Sequence, residues 1–159
     1  EKDQPGFWNI ISDIIETSDH SIWVTTYNDS DHSGLHRFDE QTGLFSQYTY
    51  QPNNATSLTW AYCETVFEDK DNNLWVGTSR GLNKADLNRW QMGMMNINPE
   101  NPFDFANNFY AIEEVEKDVF WLGLDGDGFI EWDRRSNKKR QFGIDDPRSG
   151  DGCPLVHRS

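Results

Sequence analysis

Apolar and polar residues alternate in short runs along most of the chain, and no stretch holds the three-to-four-residue spacing of an amphipathic helix. The runs "NIISDIIE" (9–16), "YCETVFED" (62–69) and "YAIEEVEK" (110–117) alternate with a period of two. Each is followed by a polar bend and a second run: "SIWVTT" (21–26), "NLWVGT" (73–78) and "VFWLGL" (119–124). Third runs, each opening on glycine, occupy 34–39, 81–86 and 128–133, and weaker fourth runs lie near 44–50, 90–96 and 139–144. Bounded by Gly, Asn, Asp and Ser, these segments predict twelve short strands joined by tight turns.

The twelve strands fall into three copies of one unit. Gly34, Gly81 and Gly128 are each 47 residues apart, an Asp follows each by five residues (Asp39, Asp86, Asp133), and a Trp precedes each (Trp23, Trp75, Trp121). Four antiparallel strands in a unit of about 40–50 residues is the construction of a β-propeller blade, which must stack on neighbours to bury its faces. The predicted fold is therefore all-β: three four-stranded antiparallel blades, at about 8–50, 58–97 and 107–144, forming a partial propeller or a fragment of a larger one. The three tryptophans are expected to pack between blades. The spacing places the start of a fourth inner strand near 154–156, so 145–159 reads as a tail leading toward a missing fourth blade. The alternative is that further copies of the chain complete a ring head to tail.

Composition narrows the partners. Seven Trp, ten Phe and five Tyr accompany 27 acidic and 14 basic residues, for a formal charge of −13. Such a charge repels nucleic-acid backbones and anionic membrane surfaces, so neither nucleic acid nor direct membrane contact is expected. No run approaches the roughly 18 apolar residues of a membrane span, and the opening "EKDQPGF" lacks the basic and apolar regions of a signal peptide. Cys63 and Cys153 have no C-x-x-C spacing, and the sequence leaves open whether they are bridged.

The second unit resembles the two-component regulator propeller repeat. The residues that carry the likeness are Ser57-Leu58, Val66, Phe67 before Glu68-Asp69, Leu74 to Thr78, Gly81 to Asn83, and Asp86. The first unit departs from the pattern with Thr25 in place of Gly and an inserted "NDSDHS"; the third shortens its bend and carries Leu124 in place of Thr. The resemblance implies a non-enzymatic signal-input module. It would be part of the periplasmic or extracytoplasmic propeller of a membrane-bound hybrid histidine kinase or diguanylate cyclase receptor, with carbohydrate as a plausible signal.

Several conspicuous motifs carry less chemistry than they suggest. Asp29, Asp31, Ser33, Gly34 and Glu40 match positions of a calcium loop, yet the segment after Gly34 is in phase with a strand, and no exit helix brings Glu40 back. This is a weak calcium candidate. In "DKDNNLWVGTSRGL" (69–82) the calcium template meets Leu74 where Gly is needed, and "GTSRG" lacks the Lys-Ser/Thr ending of a phosphate loop. The basic run 134–140 is in phase with a solvated turn, and the four histidines share no ligand spacing, so neither metal nor cofactor is expected.

Ligand recognition is expected in the loops that enter the first strands and join the second and third. Trp8, Asn9, Trp60, Tyr62, Arg80, Asn108, Phe109, Tyr110, Asp125 and Asp127 supply flat aromatics and polar groups suited to an oligosaccharide or another small ligand. Two alternatives stand beside this reading. One is a fragment of a propeller glycosidase or lyase using acids such as Glu113, Glu114 and Asp125; the other is a protein-interaction scaffold whose partners are the remaining blades or a second copy.

Overall fold

The computed structural model describes residues 10–27, 32–86, 91–95, 100–101, 107–125 and 128–143. They form three four-stranded antiparallel sheets, each in simple chain order. The first contains β1 (Ile10–Glu16), β2 (Ile22–Tyr27), β3 (Gly34–Asp39) and β4 (Leu44–Tyr48). The second contains β5 (Cys63–Glu68), β6 (Leu74–Thr78), β7 (Gly81–Asp86) and β8 (Gln91–Met95), and the third contains β9 (Phe109–Glu116), β10 (Val119–Leu124), β11 (Phe129–Asp133) and β12 (Lys138–Phe142). The first strands of successive sheets lie side by side, so the sheets stack as blades do. Among the described residues, no helix is long and apolar enough to cross a membrane.

The repeat glycines set the register. Gly34 and Gly81 oppose Thr26 and Thr78, while Leu124 donates its N–H to the Gly128 carbonyl at 3.0 Å. All three glycines have positive φ, and a Cβ on Gly34 or Gly128 would collide with the carbonyl of Tyr48 or Phe142 on the outermost strand. Glycine is thus required both by the left-handed backbone and by the close approach of the fourth strand.

Period-two alternation gives each sheet a forward and a backward face. Trp23, Leu35, Leu58, Cys63, Val66, Leu74, Val76 and Ala85 make one core between the first two blades. Trp75 and Leu82 meet Phe109, Ile112, Phe120, Leu122, Leu124, Ile130 and Trp132 in a second core between blades two and three. Burial pushes the Cys63 thiol well above its ordinary pKa; Cys153 lies outside the described residues, as do 144–159.

The third tryptophan departs from expectation. Trp23 and Trp75 are 1% and 3% exposed, whereas Trp121, at the same place in register, is 44% exposed and donates its indole N–H to Glu131 at 3.3 Å. The cause is position in the stack: each tryptophan points to the following blade, and no described sheet follows the third.

Carboxylates bind the blades together across the boundaries. The Ser18 amide and hydroxyl both donate to Glu68, at 2.7 and 2.8 Å, and the Lys70 amide donates to Glu114 at 2.6 Å. The buried Glu114 also accepts the Asp118 amide at 2.8 Å, which makes it a structural acid rather than a catalytic one. Asp13 accepts from the Thr65 hydroxyl and the Val66 amide at 2.8 and 3.0 Å. Arg134 joins Asp118 to Asp69 and Asp71, and Arg135 also pairs with Asp118, so the first half of the basic run is a blade-to-blade tie. Lys138, Lys139 and Arg140 lie on exposed β12.

The stretch 69–82 is scaffold. Asp69 Oδ1 accepts the Asp71 and Asn73 amides at 3.0 and 2.8 Å, and Oδ2 accepts the Trp75 indole N–H at 2.8 Å. Thr17 holds the equivalent place in the first blade but directs its hydroxyl to Asp19 and the Ser21 carbonyl, and the buried Trp23 indole N–H has no partner.

Two outcomes follow for stability. Gly128→Ala is expected to destabilise by about 1–3 kcal/mol, measured by urea unfolding, because the strain has no flexible side chain to absorb it. Burial works against the Asp69 carboxylate, but bonds from Trp75, Asn73 and Asp71 outweigh it and hold its pKa below the usual range. A depressed folded pKa contributes stability that is present above the unfolded value, about 3.9, and is lost as pH falls through the folded one. Asp69→Asn should therefore flatten the acid limb of the stability–pH curve below about pH 4, and Asp69→Ala should cost about 2–3 kcal/mol at pH 7.

Candidate functional site

Antiparallel pairing puts the start of each first strand beside the end of each second strand: Ile10 opposes Tyr27, Cys63 opposes Thr78, and Phe109 opposes Leu124. One edge of the stack therefore carries the chain entering the first strands and the turns after the second. Its side chains come from all three blades.

An aromatic group dominates the boundary between blades one and two. Tyr27 lies 4.8 Å from Tyr62, Tyr50 lies 5.3 Å from Trp60, and Trp60 meets Tyr62 edge-on at 6.1 Å. The Arg80 guanidinium, in the turn after β6, is stacked 3.3 Å from the centre of the Trp60 ring. Partial burial lowers the Arg80 pKa from its ordinary value. The planar cation and the indole form a cation–π stack.

The second half of the edge is acidic. The Ser79 hydroxyl donates to Glu64 at 2.8 Å, and the Asn108 amide reaches Asp125 at 3.5 Å. Burial raises the Glu64 pKa against the lowering effect of Ser79, and the charge on Asp125 raises it further. Tyr110, 47% exposed, is shifted upward by burial and then by Glu64, Asp125 and Tyr27, which places phenols and carboxylates of three blades within electrostatic reach. The arrangement offers flat apolar surfaces for stacking and carboxylate, amide and phenol groups for hydroxyls.

Of the ten residues the sequence nominates, the structure brings together Trp60, Tyr62, Arg80, Asn108, Tyr110 and Asp125. Phe109 is corrected: it is fully buried in the second core, because a register shift at Gly123–Leu124 turns it inward, where its carbonyl lies over Gly77. A Cβ on Gly77 would approach that carbonyl to 2.5 Å, which explains the glycine of "LWVGT". Trp8, Asn9 and Asp127 lie outside the described residues. Of the calcium candidates, Asp29 and Asp31 also lie outside them; Ser33 is buried, Glu40 sits in the exposed turn after β3, and no metal-holding cluster occurs among the described residues. Sequence reading missed Tyr27, Tyr50, Glu64 and Ser79, of which Tyr27 and Ser79 fall in loops it had singled out.

Comparison with known proteins agrees with this architecture. The structure is similar to the extracellular domain assigned to a hybrid two component system of B. thetaiotaomicron, with TM-score 0.64 and 16% identity over 86% of this chain and 25% of that one. A second B. thetaiotaomicron extracellular domain, assigned to a one component system, gives TM-score 0.65 and 15% identity over 89% of this chain and 18% of that one. A catalytically inactive virginiamycin B lyase from Staphylococcus aureus, solved with quinupristin, gives TM-score 0.62 and 18% identity over 91% and 44%. At these identities the likeness is one of fold, and the chain is a stack of β-propeller blades. The sequence model of the family described as two component regulator propeller matches residues 53–80, which include the first two strands of the second blade. Histidine kinase P4 of Formosa agariphila is 34% identical over 70 residues, 44% of this chain and 5% of that protein. The chain thus spans a small part of the relatives it matches.

The raised Glu64 pKa has a measurable consequence. A carboxyl whose folded pKa exceeds its unfolded one opposes folding above the unfolded value and is neutral in effect well below it. Glu64→Gln, which keeps an acceptor for Ser79, should stabilise the protein at pH 7 and lose that advantage below about pH 4. Urea midpoints at the two pH values check it; a destabilised variant at pH 7 contradicts the account.

Proposed function

We propose that this chain is a ligand-binding part of the extracytoplasmic sensor propeller of a membrane-bound receptor, either a hybrid histidine kinase or a diguanylate cyclase. The ligand is a carbohydrate, and any output activity resides in other domains. The observation that carries the reading is the edge where Tyr27, Trp60, Tyr62 and Arg80 form an aromatic and guanidinium platform beside Glu64 and Asp125. Sugar rings present apolar faces to aromatics and hydroxyls to carboxylates, amides and guanidinium groups, which is the combination found there. The two component regulator propeller repeat and the likeness to extracellular domains of two component systems support a signalling context. Binding without turnover suits a site whose acids are held by Ser79 and Asn108 rather than poised on a nucleophile.

The test is isothermal calorimetry of the chain against a panel of neutral and acidic oligosaccharides. Binding by at least one glycan is expected, with Trp60→Ala weakening it at least about tenfold, since loss of an aromatic platform removes about 1.4 kcal/mol or more. Absence of heat with every glycan, or turnover of a chromogenic glycoside, would overturn the proposal.

A further inference from the structure

Each blade has a β-bulge at the same place, near the start of its first strand. The register skips Ser12 between Ile11 and Asp13, Glu64 between Cys63 and Thr65, and Tyr110 between Phe109 and Ala111. A bulge leaves one residue out of the ladder and re-aims its side chain. The three positions are equivalent, because each bulge follows the same pair of the repeat: Ile11 with Thr26, Cys63 with Thr78, Phe109 with Leu124. The residues after Thr26, Thr78 and Leu124 are Tyr27, Ser79 and Asp125. Two positions per blade thus supply the candidate edge, one from a bulge and one from the end of the second strand.

These positions differ in chemistry. Ser12 donates its hydroxyl to the Cys63 carbonyl at 2.7 Å and so ties blade one to blade two. Glu64 is half-buried and Tyr110 is exposed, and Tyr110 lies within electrostatic reach of Glu64, Asp125 and Tyr27. At the opposite end of the first strands the carboxylates have cations: Arg134 pairs with Asp69, Asp71 and Asp118, and Lys117 with Asp71. Glu64 and Asp125 have neutral partners instead, the Ser79 hydroxyl and the Asn108 amide. Among the described residues neither makes an ion pair. Their mutual repulsion is left unrelieved, and the Asp125 charge is one cause of the raised Glu64 pKa, after burial. Tyr27 and Tyr62, with rings 4.8 Å apart, add aromatic faces to that of Tyr110, and such faces attract cations.

We propose that the acidic half of the edge is a subsite for a protonated amine, with Glu64 and Asp125 as counter-charges and Tyr27, Tyr62 and Tyr110 as aromatic walls. The ligand is then a glycan with a free amino group, a hexosamine without its N-acetyl cap. This rests on the reading of the edge as a carbohydrate site and specifies which sugar it selects. An ammonium group donates three N–H bonds, and those to carboxylates are charge-assisted. A hydroxyl or an N-acetyl group in its place leaves both carboxylates without a counter-charge. The formal charge of −13 draws the same class of ligand from a distance. Trp60 supplies a stacking surface for the rest of the sugar and does not discriminate between amine and amide.

The probes are a β-1,4-linked glucosamine tetrasaccharide and its fully N-acetylated twin, titrated by calorimetry into the 159-residue chain at about pH 6, where amines are protonated. The amine form should bind at least about tenfold tighter, and added salt should weaken it far more than the twin. Glu64→Gln, which keeps an acceptor for Ser79, should reduce the preference to about twofold or less. Glu40→Gln makes the same charge change in the exposed turn after β3 and should leave the preference intact. Trp60→Ala should weaken both forms alike. Equal affinity for the twins, or a preference for the acetylated one, would overturn the amine subsite and leave the carbohydrate reading standing. Equal losses from Glu64→Gln and Glu40→Gln would overturn it as well, by assigning the preference to net charge. Binding of neither twin would also overturn it, and would sink the carbohydrate reading with it only if every other glycan were silent too.

Discussion

A β-blade on its own is a two-faced apolar sheet, and everything else in this molecule depends on how one blade is fixed to the next. Apolar stacking supplies the driving force but little direction: Trp23 and Trp75 fill the boundaries without specifying how far one blade slides along another. The carboxylate bonds supply the direction. Glu68 and Glu114 each accept a main-chain amide from the preceding blade, and such a bond is satisfied at one offset only. Glu114 is buried, so leaving it unpaired would carry the full cost of desolvation.

The candidate site is a consequence of that offset. Tyr27 belongs to blade one, Tyr62 and Glu64 to blade two, and Tyr110 and Asp125 to blade three, three segments far apart in sequence. Their convergence requires the blade edges to be level, which the bonds at the opposite ends of the first strands enforce. Asp69 contributes to both tasks, ordering its own turn while pairing with Arg134 of the next blade. The repeated motif is structural, and the groups of the candidate site are those that differ from blade to blade.

Much of the fold was legible in the sequence because period-two alternation and punctuating glycines are local properties. The twelve strands lie within about two residues of their predicted places, and the repeat glycines mark the third strand in every blade. What was not legible required knowledge of neighbours. Alternation assigns Trp121 to the same face as Trp23 and Trp75 but not what covers that face. Phe109 reads as a loop aromatic, yet a register shift turns it into the core, and Glu114, an acid of the glycosidase or lyase alternative, is instead held by the Lys70 amide. Tyr27 and Glu64 carry no motif; only the adjacency of blades makes them part of one surface.

The central claim, that carboxylates fix the blades through main-chain amides, is tested most directly by residue-resolved hydrogen exchange. Ser18 and Lys70 lie in exposed turns, where amides without a partner exchange freely. The account predicts that both exchange as slowly as the amides of the adjoining strands, and that Glu114→Ala releases Lys70 while Ser18 stays protected. Fast exchange at Ser18 and Lys70 in the unaltered protein would contradict it.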